Sequence, residues 1–132
     1  NVAKDLSIIV AKAKREGKHV MIQVGGNWCI WCYRFAGFVE SDTALKAAMN
    51  KNYVVYHLNY SPENKNAAAL KKLCFPQRFG FPVFVILNER GERIHTQNSA
   101  YLEKDKSYDA AKVKEFFEQW SPAALKETSY KD

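Results

Sequence analysis

Two short runs, Val20-Met21-Ile22-Gln23-Val24 and Val83-Phe84-Val85-Ile86-Leu87, constrain the fold of this chain more than any other feature. They are rich in β-branched residues and nearly free of polar ones, the composition of strands buried on both faces. A sheet built on them needs a covering layer on each side, and the intervening segments can supply it. Val2, Leu6, Ile9, Val10 and Ala13 recur at helical spacing with lysines between them. They predict an amphipathic helix over 2–16, ended by Gly17. Four more helices are predicted. One runs from Cys29 to Val39 with Trp31, Phe35 and Phe38 inward, and one from a Ser41 or Asp42 cap through Met49 with Leu45 and Ala48 inward. Another runs from Glu63 to Cys74, because Pro62 costs nothing in a first turn. The last spans Asp109 to Trp120, with Val113, Phe116, Phe117 and Trp120 on its apolar side.

Tyr53 to Asn59 reads as a further strand, and Asn88-Glu89-Arg90-Gly91 as a hairpin turn into a fourth, Arg93 to Gln97. Strands separated by helices imply parallel neighbours, and the late hairpin adds an antiparallel edge. The expected fold class is therefore α/β, a mixed four-stranded sheet with helices on both faces. Residues 98–108 form a polar loop interrupted by Tyr101 and Leu102. Ser121-Pro122 stops the last helix, and 121–132 is expected to be a mobile tail. Without repeats or linkers, 1–132 reads as one domain.

Composition narrows the function class. Hydrophobic residues make up 47% and charged residues 26%, as in an ordinary globular protein. No stretch reaches the length of a membrane span. The net charge of +6 gathers partly at Lys12, Lys14, Arg15 and Lys18. Without arginines interleaved with aromatics this is a solvated helix face rather than a nucleic-acid surface. Three cysteines are too few for a disulfide scaffold and suit one redox pair plus a single Cys74.

That pair lies in Trp28-Cys29-Ile30-Trp31-Cys32, just after the first strand and the turn Gly25-Gly26-Asn27. A helix opening at Cys29 brings Cys32 back beside it one turn later, within reach of a disulfide. The first sulfur then sits at the positive end of a helix, which favours thiolate over thiol. A structural zinc site would need four ligands. Beyond the pair only Cys74, His19, His57 and His95 remain, none at ligand spacing, so no metal is expected. Cys74, beside Phe75 at a helix end, reads as a free, partly buried thiol.

On the strand ending at Val24, the segment Asn27 to Cys32, the strand Val55 to Asn59 and Gly80-Phe81-Pro82 before the third strand, the chain resembles the thioredoxin superfamily over roughly residues 18–120. It looks most like bacterial extracytoplasmic thioredoxin-like proteins of the disulfide-isomerase type. The resemblance implies a thiol–disulfide oxidoreductase. Cys29 would be the attacking thiol, more exposed and of lower pKa, and Cys32 the buried resolving thiol. Pro82 would be a cis-proline, and the backbone of Phe81 would pair with an extended substrate segment. Trp28, Ile30, Trp31, Phe81 and Pro82 are then the expected substrate contacts, with Trp28 packed under the active-site turn and Trp31 half exposed. No bound cofactor is implied. The partners would be protein substrates with disulfides or thiols and a redox protein that supplies or takes electrons. The likeness, with the missing initiator Met, leads to an extracytoplasmic location with a leader removed.

Three departures from thioredoxin bear on mechanism. Gln23 stands where thioredoxin has a buried Asp, and Gln cannot accept a proton; His57 or ordered water is expected to assist Cys32 instead. Ile30 and Trp31 between the cysteines are uncharged, so the helix terminus supplies most of the thiolate stabilisation. That predicts a moderately lowered Cys29 pKa and a potential near the reducing end of a range of about 150 mV, or ~7 kcal/mol for two electrons. The loop 98–108 is longer than thioredoxin's and would face the groove beside the cis-proline, where Tyr101 and Leu102 either pack the loop down or touch a partner. The rival function is a redox-silent thioredoxin-fold module that uses the groove only for binding.

Overall fold

Each of the long helices begins where a side chain satisfies its free N–H groups. The computed structural model describes residues 1–131. Helix α1 (Val2–Glu16) is capped by Asn1, whose Oδ1 accepts from Lys4 N at 3.0 Å, and ends on Gly17 in the left-handed conformation. Asp42 caps α3 (Thr43–Asn52) through Ala44 N and Leu45 N at 3.0 and 3.1 Å. Asp109 caps α5 (Ala110–Gln119) through Lys112 N at 3.1 Å. The cap of α2 (Ile30–Glu40) is a cysteine sulfur, Cys29 Sγ. Helix α3 runs past the expected Met49 to Asn52, whose amide donates back to Ala48 O at 2.8 Å.

Strands β1 (His19–Gly25), β2 (Tyr53–Asn59), β3 (Val83–Leu87) and β4 (Arg93–Asn98) form one sheet in the order β2-β1-β3-β4. Side chains alternate across it. Met21, Phe84 and Ile86 face a core with Phe35, Val39, Leu45, Val113, Phe116 and Phe117 from α2, α3 and α5. Val20, Ile22, Val24, Val83 and Val85 face Ala13 of α1 and Leu70 and Leu73 of the α4 region. Both central strands are thus buried on both faces, as their composition requires. The family fold expected from the sequence is the observed one.

Local expectations met corrections. Strands β1 and β2 are parallel, but β3 enters antiparallel beside β1. The intervening helix α4 covers only Ala67–Lys72 instead of Glu63–Cys74. At six residues it spans about 9 Å, too short to carry the chain back along a strand of about 23 Å. The chain therefore leaves β2 and enters β3 at the same end of the sheet. Residues 62–66 are drawn from the helix by side-chain–backbone bonds. Asn66 N donates to Asn64 Oδ1 at 3.1 Å, Asn64 N donates to Ser61 Oγ at 3.2 Å, and Asn66 itself is left-handed.

Pro76 opens a single 3₁₀ turn to Phe79 after Cys74 and Phe75, both with positive φ. The polar loop after β4 is structured, as a 3₁₀ turn over Ser99–Leu102 and a small hairpin of β5 (Glu103–Lys104) and β6 (Ser107–Tyr108). Beyond α5 the chain makes two further 3₁₀ turns, Ala123–Leu125 and Glu127–Tyr130, linked by Ser129 Oγ donating to Ala123 O at 2.6 Å.

Candidate active site

The ends of three strands converge on one loop. Tyr60 N donates to Gly25 O at 2.7 Å, joining the end of β2 to the end of β1, and Cys29 N donates to Gly26 O at 3.0 Å. The register Val24–Val83 brings Pro82, the residue before β3, opposite Gly25. Cys29 is extended (φ −92°, ψ 99°) and its Sγ accepts from Cys32 N at 3.2 Å, so the sulfur itself caps α2. Cys29 and Cys32 form a disulfide across a Cα–Cα distance of 5.3 Å. A thiolate left at Cys29 by reduction would keep that amide and the positive end of the helix.

Two glycines make room for this arrangement. A Cβ on Gly25 would run into Cys32 Sγ, and one on Gly26 would lie 2.7 Å from both Trp28 Nε1 and Tyr60 O. Trp28 uses that space: its Nε1 donates to Tyr60 O at 2.7 Å, and its ring meets Phe81 edge-on at 5.1 Å. Phe81 in turn stacks on Tyr60 at 4.7 Å. The Phe81–Pro82 peptide is cis. The cysteine loop and the proline loop are thus held together by three aromatic rings.

The expected site residues come together here with two corrections. Trp28 does not pack under the turn. It lies over it, 50% exposed, because its indole N–H is drawn to a carbonyl at the rim. Cys29 is not the more exposed cysteine residue. Cys29 is 3% and Cys32 8% accessible in this oxidised state. Bond formation and the Cys32 amide both turn Cys29 Sγ inward over the helix end.

Ile30 is exposed, Trp31 is part-buried beneath the Arg34 guanidinium at 4.7 Å, and Pro82 is buried. Gln23 and His57, cross-strand partners on β1 and β2, line with Cys32 a cavity of about 310 Å³. The two loop residues separate: Leu102 is buried in the core and Tyr101 is 72% exposed. Cys74 is exposed rather than partly buried, because the turn that ends α4 in positive φ directs it outward. Among the described residues no group of three or more His, Cys, Asp or Glu is placed to hold a metal.

Two tyrosines at the site escaped the sequence reading. Tyr60 immediately follows a strand parallel to β1, and residues just beyond neighbouring parallel strands meet; that rule could have found it. Tyr108 OH donates to Trp31 O at 3.1 Å from the small hairpin. Burial, with Glu103 nearby, pushes its phenol up, so it remains a donor at neutral pH. No local signal marks that contact, which spans 77 residues of sequence.

Residues 2–89 match the thioredoxin-like protein family. The chain belongs to that family. Its fold is also that of the disulphide isomerase from Xylella fastidiosa Temecula1, at a TM-score of 0.74 with 20% identity over 86% of each chain. The oxidised C-terminal domain of DsbD from Neisseria meningitidis superposes at 0.64, with 20% identity over 91% of this chain and 96% of that one. Among curated proteins, the thiol:disulfide interchange protein DsbD of Salmonella typhimurium is 29% identical over 82 residues, 62% of this chain. The chain spans only 14% of that relative's length. In this thioredoxin-like chain the disulfide occupies the joint between the first strand and its helix, and the chemistry open to it is thiol–disulfide exchange.

Proposed function

We propose that this thioredoxin-like protein is a thiol–disulfide oxidoreductase of protein substrates, reductase or isomerase rather than strong oxidase. One observation carries the reading: a bonded Cys29–Cys32 pair caps α2 across from a cis-proline at the strand ends. In the reduced protein Cys29 thiolate attacks a substrate disulfide, forming a mixed disulfide and releasing one substrate thiolate. Cys32 thiolate then attacks Cys29 Sγ, releases the second substrate thiolate and restores the observed bond. Two electrons pass to the substrate, and both released thiolates take protons from solvent. Run in reverse, the same steps oxidise.

Trp28, Ile30 and Phe81 offer apolar surface beside the sulfurs, and the Phe81 backbone ahead of Pro82 suits an extended segment. Uncharged Ile30 and Trp31 add little to the thiolate stabilisation that the helix terminus supplies, which favours the reducing end of the family range. Cys32 must lose a proton before it resolves. Gln23 cannot take it, and His57, on the same cavity, serves with water as its acceptor. The natural electron donor is a partner redox protein, and the compartment lies outside the cytoplasm, in line with the DsbD-like relatives. No described helix is long and apolar enough to cross a membrane.

Insulin reduction driven by dithiothreitol tests the reading. Cys29→Ser should lower the rate by about a hundredfold or more, since Cys29 is the thiol that opens the exchange with a protein disulfide. Equal rates for wild type and Cys29→Ser would leave a redox-silent binding module. His57→Ala should shift the pH profile of exchange. An unchanged profile removes His57 from the proton path.

A further inference from the structure

The peptide unit that joins Trp31 to Cys32 is engaged at both ends. Its N–H, that of Cys32, donates to Cys29 Sγ at 3.2 Å. Its C=O, that of Trp31, accepts from Tyr108 OH at 3.1 Å. Phenol, amide and sulfur therefore lie in one chain of hydrogen bonds with a single peptide in the middle. A donor at an amide oxygen draws electron density from the nitrogen, and the N–H becomes a stronger donor. Such polarisation strengthens the neighbouring bond by roughly 10–30%.

Tyr108 is held firmly enough to act in this way. It is buried, and it pairs with Glu103 in the small hairpin that follows β4. Asp109 N closes that hairpin by donating to Leu102 O at 2.8 Å. The Tyr108 ring meets Trp31 and Phe35 edge-on at 5.6 and 5.1 Å.

We propose that Tyr108 is a positioning residue that acts on Cys29 through the backbone, strengthening the Cys32 amide so that more of Cys29 stands as thiolate. The proposal rests on the thiol–disulfide reading above. In the reduced protein the Cys29 thiolate accepts the Cys32 N–H in a charge-assisted bond, which gains most from a polarised donor. Tyr108 keeps its proton throughout and transfers nothing. Ile30 and Trp31 carry no charge, so the hairpin supplies what neither side chain between the cysteines does. Arg34, Glu103 and Ser99 face the Tyr108 phenol, and His57 faces Cys32; Tyr108→Phe leaves all four in place.

That substitution keeps the ring and removes only the hydroxyl. In a Cys74→Ser background, the pH dependence of Cys29 alkylation reads its pKa. Tyr108→Phe should raise it by about 0.3 unit, about a twofold loss of thiolate below that pKa. Above it, the equilibrium with glutathione should move about twofold towards the Cys29–Cys32 disulfide. The Cys32 amide proton of the reduced protein should shift upfield. Ile22→Val, in the core on the other face of the sheet, costs comparable stability and should leave the Cys29 pKa unchanged. An unchanged pKa in folded Tyr108→Phe, or an equal rise in Ile22→Val, overturns the proposal. Insulin reduction by the Cys74→Ser parent separates the two readings. If it proceeds while Tyr108→Phe leaves the pKa unchanged, only the role of Tyr108 falls; if it fails, the oxidoreductase reading falls.

Discussion

At the start of β1, aromatic and polar groups close on one another; at its end, the same kinds of residue stay open. His19 Nδ1 donates to Trp120 O at 2.8 Å, Tyr53 OH donates to Phe117 O at 2.7 Å, and His95 lies flat on Trp120 at 4.0 Å. Burial pushes the Tyr53 phenol well up, which keeps it a neutral donor. Six residues along the strand from His19, Trp28 and Tyr60 also share a hydrogen bond and rings also stack, yet Trp28, Ile30 and Tyr33 face solvent. One end spends its polar contacts on tying the last helix to the sheet. The other uses them to position two sulfurs and leaves apolar surface uncovered. Stability and reactivity thus separate along a single strand.

The sharpest way to break that comparison is at the closed end. Phe117 is fully buried among Phe35, Tyr53 and Phe116. Phe117→Ala should lower the unfolding free energy by about 3–5 kcal/mol in denaturant titrations, with exchange by the folded fraction unchanged. A parallel loss of activity per folded molecule would show that the two ends are coupled. At the open end Trp28→Ala should do the reverse. It removes a half-exposed ring and one hydrogen bond, so stability should fall by only about 1 kcal/mol while kcat/KM on protein disulfides drops more steeply than on dithiothreitol. Equal losses on both substrates would deny Trp28 a role in binding.

The smallest effect concerns pH. Burial, together with Arg93, holds the His95 imidazole below its ordinary value, against the opposing hydrogen bond that it donates to Gln97 Oε1. The unfolded chain then binds more protons than the fold as pH falls past about 6.5. Stability from this group is full above that pH and declines below it. His95→Gln should flatten the fall in Tm between neutral and mildly acidic buffer; an identical fall in both proteins would clear His95 of the effect.

Much of this architecture was legible because it rests on local patterns. The runs Val20–Val24 and Val83–Leu87, the Gly17 stop and the Asp42 and Asp109 caps each act within a few residues. The helix expected over Glu63–Cys74 failed for a reason composition hides: Ser61, Asn64 and Asn66 bond their neighbours' backbone and outcompete the helix. At the site, the cysteine pair and the Gly-Phe-Pro segment were readable from spacing and resemblance. Tyr108 was not, since its partner lies across the fold.

Read alone, the sequence determined that a helix would begin at a cysteine and return a second one beside it, because helical periodicity is local. It also determined that two strands would be covered on both faces, because apolar area must leave water. Tertiary structure decided how deeply the two cysteines are buried, where Trp28 rests and what stands beside Cys32. Those outcomes depend on how strands remote in sequence align their ends, and no short-range pattern encodes that alignment.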